Sequence, residues 1–130
     1  MKKYFNYWEN ESDKDFLSCI LADATYDSPW FGIKVSDKTP KEVAKTAWDN
    51  NECREDIWAD VLLNGGTLVV TDYEDDEKTY EFTIKSVTKG MKKMQKQHPR
   101  MYANIVEEYY DFYDVDALLQ TIVFGEVVYG

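Results

Sequence analysis

The sequence predicts an α+β fold, a small antiparallel sheet (a β-hairpin plus one or two further strands) packed with several helices. Three observations carry this. Two alternating runs, Thr67 to Asp72 and Thr79 to Lys85, are separated by a short acidic connection, which is a hairpin pattern. Segments with apolar residues at helical spacing lie on both sides of the pair. Helix starts and stops punctuate them: Thr39-Pro40, Gly65-Gly66 and Pro99. With 130 residues and no Gly/Ser/Pro-rich linker, the chain reads as a single domain spanning residues 1–130.

Taken in order, Ser12-Asp13-Lys14-Asp15 reads as a helix start, with Ser12 as N-cap and an acid three residues on. Phe16, Leu17, Ile20, Leu21 and Ala24 then share one face, and Asp27-Ser28-Pro29 ends the element. Trp30 to Val35 is a short strand. Thr39 caps the next helix, Pro40 suits its first position and Glu42 completes a capping box. Val43, Ala44, Ala47 and Trp48 give its buried face. A further helix runs from Cys53 to Leu63 with Ile57, Trp58, Val61 and Leu62 inward, and Asn64-Gly65-Gly66 stops it.

After the hairpin, Ser86 caps a basic helix in which Val87, Met91 and Met94 recur at helical intervals. Pro99 breaks it and opens another, with Tyr102, Ile105, Val106 and Tyr109 inward. An aromatic-acidic connector follows, Glu107 to Tyr113. Asp114 then caps a last helix carrying Ala117, Leu118, Leu119, Ile122 and Val123. The apolar segment Phe124 to Gly130 is expected to dock into the core.

Charge is the strongest functional hint. The chain holds 25 acidic and 15 basic residues, a net charge of -10. Lys85 to Arg100 contains six of those basic residues and no acid, so the rest holds 25 acids against nine bases, and a mostly acidic surface with one basic helix face is expected. A nucleic-acid reader normally carries a basic domain, so direct nucleic-acid binding is not expected. No apolar run reaches the roughly 18 residues that a membrane span needs. The start of the chain, Met1-Lys2-Lys3-Tyr4-Phe5, leads into residues too polar for a signal peptide, and the protein reads as cytoplasmic.

Motifs for chemistry are missing. A calcium loop counted from Asp72 puts Glu77 at position six and Thr83 at position twelve, where glycine and glutamate are required. Counted from Asp111, position six is Asp116, which fails as well. One histidine and two cysteines cannot make a four-ligand zinc site. Cys19 and Cys53 read as small core hydrophobes. His98, beside Pro99 at a helix end, shows no orienting partner for general-base work. Gly65-Gly66 precedes a strand instead of opening a helix, so it cannot cradle a phosphate. No cofactor, no metal and no catalytic residue is expected, and the chain reads as a non-enzyme.

Two stretches, Asp60 to Val70 and Asp116 to Gly130 with its Phe124-Gly125-Glu126-Val127-Val128-Tyr129-Gly130 ending, resemble a family of small acidic uncharacterised proteins of phages and other mobile elements. The resemblance implies an accessory, non-enzymatic role and carries over no catalytic residues.

These readings converge on an acidic interaction protein. A carboxylate array can compete with DNA for a Lys/Arg-lined groove, as an inhibitor of a nucleic-acid-processing or defence enzyme would. The residues expected to meet such a protein partner are Asp72, Glu74, Asp75, Asp76 and Glu77 in the hairpin connection, then Glu107, Glu108, Asp111 and Asp114. The tyrosine-rich connector is either a contact surface or core packing. Two alternatives stand beside this: a structural or oligomer-forming accessory protein, and an enzyme with an unrecognised carboxylate/tyrosine site.

Overall fold

The structure, a computed structural model, describes residues 11–26 and 30–129. The polar N-terminal stretch and the Asp27-Ser28-Pro29 stop signal lie outside the described residues. Six helices and three strands follow in the order α1 (Glu11–Thr25), β1 (Phe31–Val35), α2 (Lys41–Asn50), α3 (Arg54–Leu63), β2 (Leu68–Asp72), β3 (Lys78–Phe82), α4 (Ile84–Gln97), α5 (Pro99–Val106) and α6 (Phe112–Phe124). The α+β expectation is met: one antiparallel sheet of order β1-β2-β3, packed with helices.

Alternation decides which face of the sheet turns inward. Phe31 pairs with Asp72 and Val35 with Leu68 across β1 and β2; Leu68 pairs with Phe82 and Asp72 with Lys78 across β2 and β3. Phe31, Leu68, Val70 and Phe82 are buried on that face. Lys34 and Glu81 look outward, and Glu81 pairs with Lys38. Helix α3 lies against β1 and β2, while α4 and α6 lie against β3. Helix α1 packs on α3 and α6, α2 on α3, and α5 on α4 and α6. Buried side chains from all nine elements join in one apolar cluster.

Several expected starts move by a few residues, each for a local reason. Helix α1 already includes Ser12 in its first turn, so Ser12 is not the cap. Thr39 does not cap α2. Its hydroxyl donates to the Thr67 carbonyl at 2.8 Å and accepts the Thr67 N–H at 3.0 Å, tying the entry of α2 to the entry of β2. β3 ends at Phe82, three residues before the expected Lys85, because Thr83 takes over as N-cap of α4. Thr83 and Ser86 form a reciprocal capping box, so Ser86 sits at the third helical position. Asp111, not Asp114, is the N-cap of α6, and Asp114 closes the same kind of box from inside the helix.

The stop at Gly65-Gly66 and the break at Pro99 are as expected. Gly65 takes φ 85°, and the N–H groups of Gly65 and Gly66 bond back to the Leu62 and Val61 carbonyls at 3.2 and 2.7 Å. That double bond is a Schellman closure, which favours glycine because the left-handed conformation has no Cβ penalty there. Pro99 begins α5 directly after α4.

Two aromatic residues expected inside are outside. Trp48 is 71% exposed. Helix α2 packs chiefly on α3 and Ala47 is its one buried side chain, so Trp48, about 100° further around the helix, faces away. Tyr109 is 83% exposed because α5 stops at Val106. Glu108 adopts φ 61°, and the Glu108 and Tyr109 N–H groups turn back to Ile105 and Asn104. Both cysteines are free and exposed, so neither is the expected core residue. Burial and the neighbouring carboxylates of Asp23 and Asp15 still raise the pKa of the Cys19 thiol.

The basic helix is closely packed at one point. Gly90 is buried where α4 meets α6, and a Cβ there would stand 2.4 Å from Ile122 Cγ1. Lys93 reaches the far end of α6: a Cβ on Gly125 would meet its Nζ at 2.9 Å. An ammonium beside a helix C-terminus is favoured by the helix dipole. Lys85, Lys89, Lys92 and Lys96 lie on the exposed side. No described helix is long and apolar enough to cross a membrane.

Candidate functional site

Four parts of the chain meet around a cavity of about 460 Å³. Trp30 enters just before β1, Glu74 from the β2–β3 loop, and His98 and Met101 from the α4–α5 junction. Phe112, Tyr113, Asp116 and Ala117 come from α6, and Val127 and Tyr129 from the segment after it. The walls are mainly aromatic and aliphatic. Two carboxylates and one imidazole join them.

A polar chain holds the aromatic wall in place. The Trp30 indole N–H donates to Asp116 Oδ1 at 2.8 Å, and Gln120 Nε2 donates to Asp116 Oδ2 at 2.8 Å. Gln120 Oε1 accepts the Val128 and Tyr129 N–H groups, each at 2.7 Å, and Nε2 also donates to the Tyr129 carbonyl at 3.2 Å. The 126–129 segment therefore docks, as expected, but through backbone hydrogen bonds to a buried amide. Val128, 53% exposed, does not carry the docking. The Tyr129 ring packs on Trp30 and Phe124, with centroids 5.6 and 5.8 Å apart.

Tyr129 is also latched from the other side. Its hydroxyl donates to Asp72 Oδ2 at 2.7 Å, while Asp72 Oδ1 accepts the Glu74 N–H at 2.9 Å. Asp72 is 1% exposed. It cannot meet a partner as expected, because alternation with Leu68 and Val70 puts it on the inner face of β2. The carboxylate holds the phenol proton, and the Tyr129 pKa rises from 10 to about 12 through that hydrogen bond first and burial second. A pKa raised on folding stabilises the protonated state. The contribution is complete below pH 10 and is lost as pH climbs through about 12. In denaturant titrations the stability gap between wild type and Tyr129→Phe should stay constant up to pH 10 and close above it; a gap unchanged at pH 12 would contradict the latch.

The nine acids expected to meet a partner divide by burial. Asp114, like Asp72, is internal: it accepts the Asp111 N–H at 3.1 Å and Asn104 Nδ2 at 3.2 Å. Helix capping claims it, so it too is removed from the docking set. Glu74, Asp75, Asp76, Glu77, Glu107, Glu108 and Asp111 are exposed. Of these seven, Glu74 alone lines the cavity, while the connector that carries Glu107, Glu108 and Asp111 contributes its aromatic end, Phe112 and Tyr113.

The hairpin loop holds its acids in an unusual backbone. Asp76 and Glu77 have φ 55° and 58°, and Lys78 N–H closes on the Asp75 carbonyl at 3.0 Å. Positive φ at both central positions is the type I′ pattern, which asparagine and glycine fill at least cost.

The tyrosine-rich connector divides between surface and core packing. Tyr109 and Tyr113 are exposed, whereas Tyr110 is half-buried and its pKa is raised by burial and by Asp23. Sequence reasoning missed Trp30, Asp116 and Gln120 as site residues. Gln120 left a readable signal, since an amide between Leu119 and Thr121 on a buried face needs partners.

His98 joins α4 to α5 through its backbone, its N–H bonded to the Met94 carbonyl at 2.8 Å and its carbonyl accepting Tyr102 N–H at 2.9 Å. Among the described residues no group of three His, Cys, Asp or Glu side chains is placed to hold a metal ion. The arrangement suits binding: apolar walls to exclude water, and the fixed Asp116 carboxylate to orient what enters. No protein-family model, curated protein or solved structure matches the chain.

Proposed function

We propose that this is a non-enzymatic interaction protein, of the accessory kind carried by phages and mobile elements, which binds the basic face of a nucleic-acid-processing enzyme. One observation supports this above the others: the acidic hairpin loop, through Glu74, and the aromatic end of the acidic 107–113 connector, through Phe112 and Tyr113, line a single cavity. Carboxylates on the rim steer a basic surface inward, and the aromatic walls supply desolvated contact area once it arrives. The net charge of -10 acts in the same sense at longer range.

Self-assembly through the end of the 126–129 segment would rest on the exposure of Val127 and Val128. Two such side chains fall well short of the roughly 1,000 Å² that a stable interface buries.

The test is capture from a bacterial lysate on immobilised protein, washed at about 50 mM and then about 500 mM salt. The expected result is retention of nucleic-acid-binding proteins at low salt and release at high salt. The triple variant Glu74→Lys/Asp75→Lys/Asp76→Lys should reduce retention at least about tenfold. Retention that is indifferent to salt, or that survives the charge reversal, would sink the reading.

A further inference from the structure

We infer that the aromatic cavity is a receptor for an arginine side chain projecting from the partner. The inference rests on the proposed function and names what enters the site.

The cavity offers what a guanidinium uses. Trp30, Phe112, Tyr113 and Tyr129 present aromatic surface, on which a planar, weakly hydrated cation stacks. Glu74 and Asp116 bring carboxylates to the same space. A carboxylate has about four acceptor positions. Asp116 receives one hydrogen bond on each oxygen, from Trp30 and Gln120, which fixes its orientation and leaves acceptor capacity for a ligand. Among the described residues that line the cavity there is no lysine or arginine.

Charge complementarity selects the occupant. An anionic ligand would meet two carboxylates here and the exposed run Glu74 to Glu77 beside them. A purely apolar ligand would leave the carboxylates without a counter-charge in a partly desolvated site. Lysine supplies the charge but not the plane: its compact ammonium keeps its water more tightly and cannot stack. The volume of about 460 Å³ lies in the range of small-ligand sites, enough for one long side chain with its adjoining backbone.

The probes are three blocked nine-residue glycine-serine peptides with arginine, lysine or citrulline at the centre. Citrulline keeps the shape and planarity of arginine and removes the charge. The readout is the Trp30 indole N–H resonance in nitrogen-15 spectra, assigned by its disappearance in Trp30→Phe. Arginine peptide should shift this resonance saturably. Citrulline should bind at least about tenfold more weakly, since it forfeits the charge-assisted contacts. Tyr113→Ala, at an exposed position that does not support the core, should weaken the arginine peptide about tenfold, and Glu74→Gln several-fold.

Equal binding of citrulline, tighter binding of lysine, or no shift of Trp30 with any peptide would overturn the inference. These results are separable from the docking reading. Salt-sensitive capture that the loop reversal abolishes, together with a silent cavity, would remove the arginine receptor and leave the acidic surface in place.

Discussion

Gly90→Val should lower the unfolding free energy by about 2–3 kcal/mol, the upper part of the range for forcing extra volume into a filled contact. Two effects of opposite sign meet at this position. Glycine within a helix is disfavoured by about 1 kcal/mol relative to alanine, so a side chain should help α4 on its own. The packing against α6 outweighs that gain. A Cβ would approach Ile122 Cγ1 to 2.4 Å and Ile122 Cα to 2.9 Å. The first contact can be relieved by a rotamer change, but the second involves backbone and cannot. Helix α4 must then move away from α6, and the buried Met91 and Met94 move with it. Denaturant unfolding should show a lower midpoint with an unchanged slope. Truncating Ile122 to alanine in the Gly90→Ala background should recover part of the loss, since it removes the nearer contact only. A Gly90→Val protein as stable as wild type would mean that the two helices are not packed at this distance.

Gln120→Leu should free the 126–129 segment and cost about 2–3 kcal/mol. The amide is 0% exposed and makes four hydrogen bonds, two donated and two accepted. Leucine is close in volume, so the change removes polar partners without opening a cavity. The Val128 and Tyr129 N–H groups lose the acceptor they share, and Asp116 loses a donor that fixes it. The segment can swing into water to satisfy itself, which limits the loss to what docking contributed. Hydrogen exchange separates this from global destabilisation. The Val128 and Tyr129 amides should exchange rapidly while the β2 amides keep their protection. Persistent protection at Val128 would show that something other than Gln120 holds the segment.

Local signals proved legible and tertiary ones did not. The hairpin, the Gly65-Gly66 stop and the Pro99 restart depend on backbone chemistry within a few residues, and each lies where the pattern places it. Start positions slipped at Thr39, Ser86 and Asp114 because several Ser, Thr or Asp residues competed for one cap, and a distant partner such as Thr67 decided the outcome. Trp48 and Tyr109 sit outside, against expectation, because hydrophobicity cannot say which faces find a neighbour. The candidate site was legible in part. Its acidic rim stands out by composition, whereas Asp72 reads as surface by composition although it is in phase with Leu68 and Val70. The cavity itself was invisible, because no local pattern brings Trp30 to Asp116 or Tyr129 to Asp72.

The way the cavity is closed couples it to global stability. The bonds that shape it join residues 86 and 57 positions apart. No fragment shorter than residues 30–129 contains all its walls, and a state that opens either bond loses one of them, so whatever fills the cavity binds the native state. Binding is then linked to the whole folding equilibrium. An occupant at about a hundred times its dissociation constant raises the unfolding free energy by about 2.7 kcal/mol. The rise appears in every probe of unfolding together, including those placed on the opposite face of the sheet. Thermal melting of the intact protein can therefore screen candidate occupants without any label near the site.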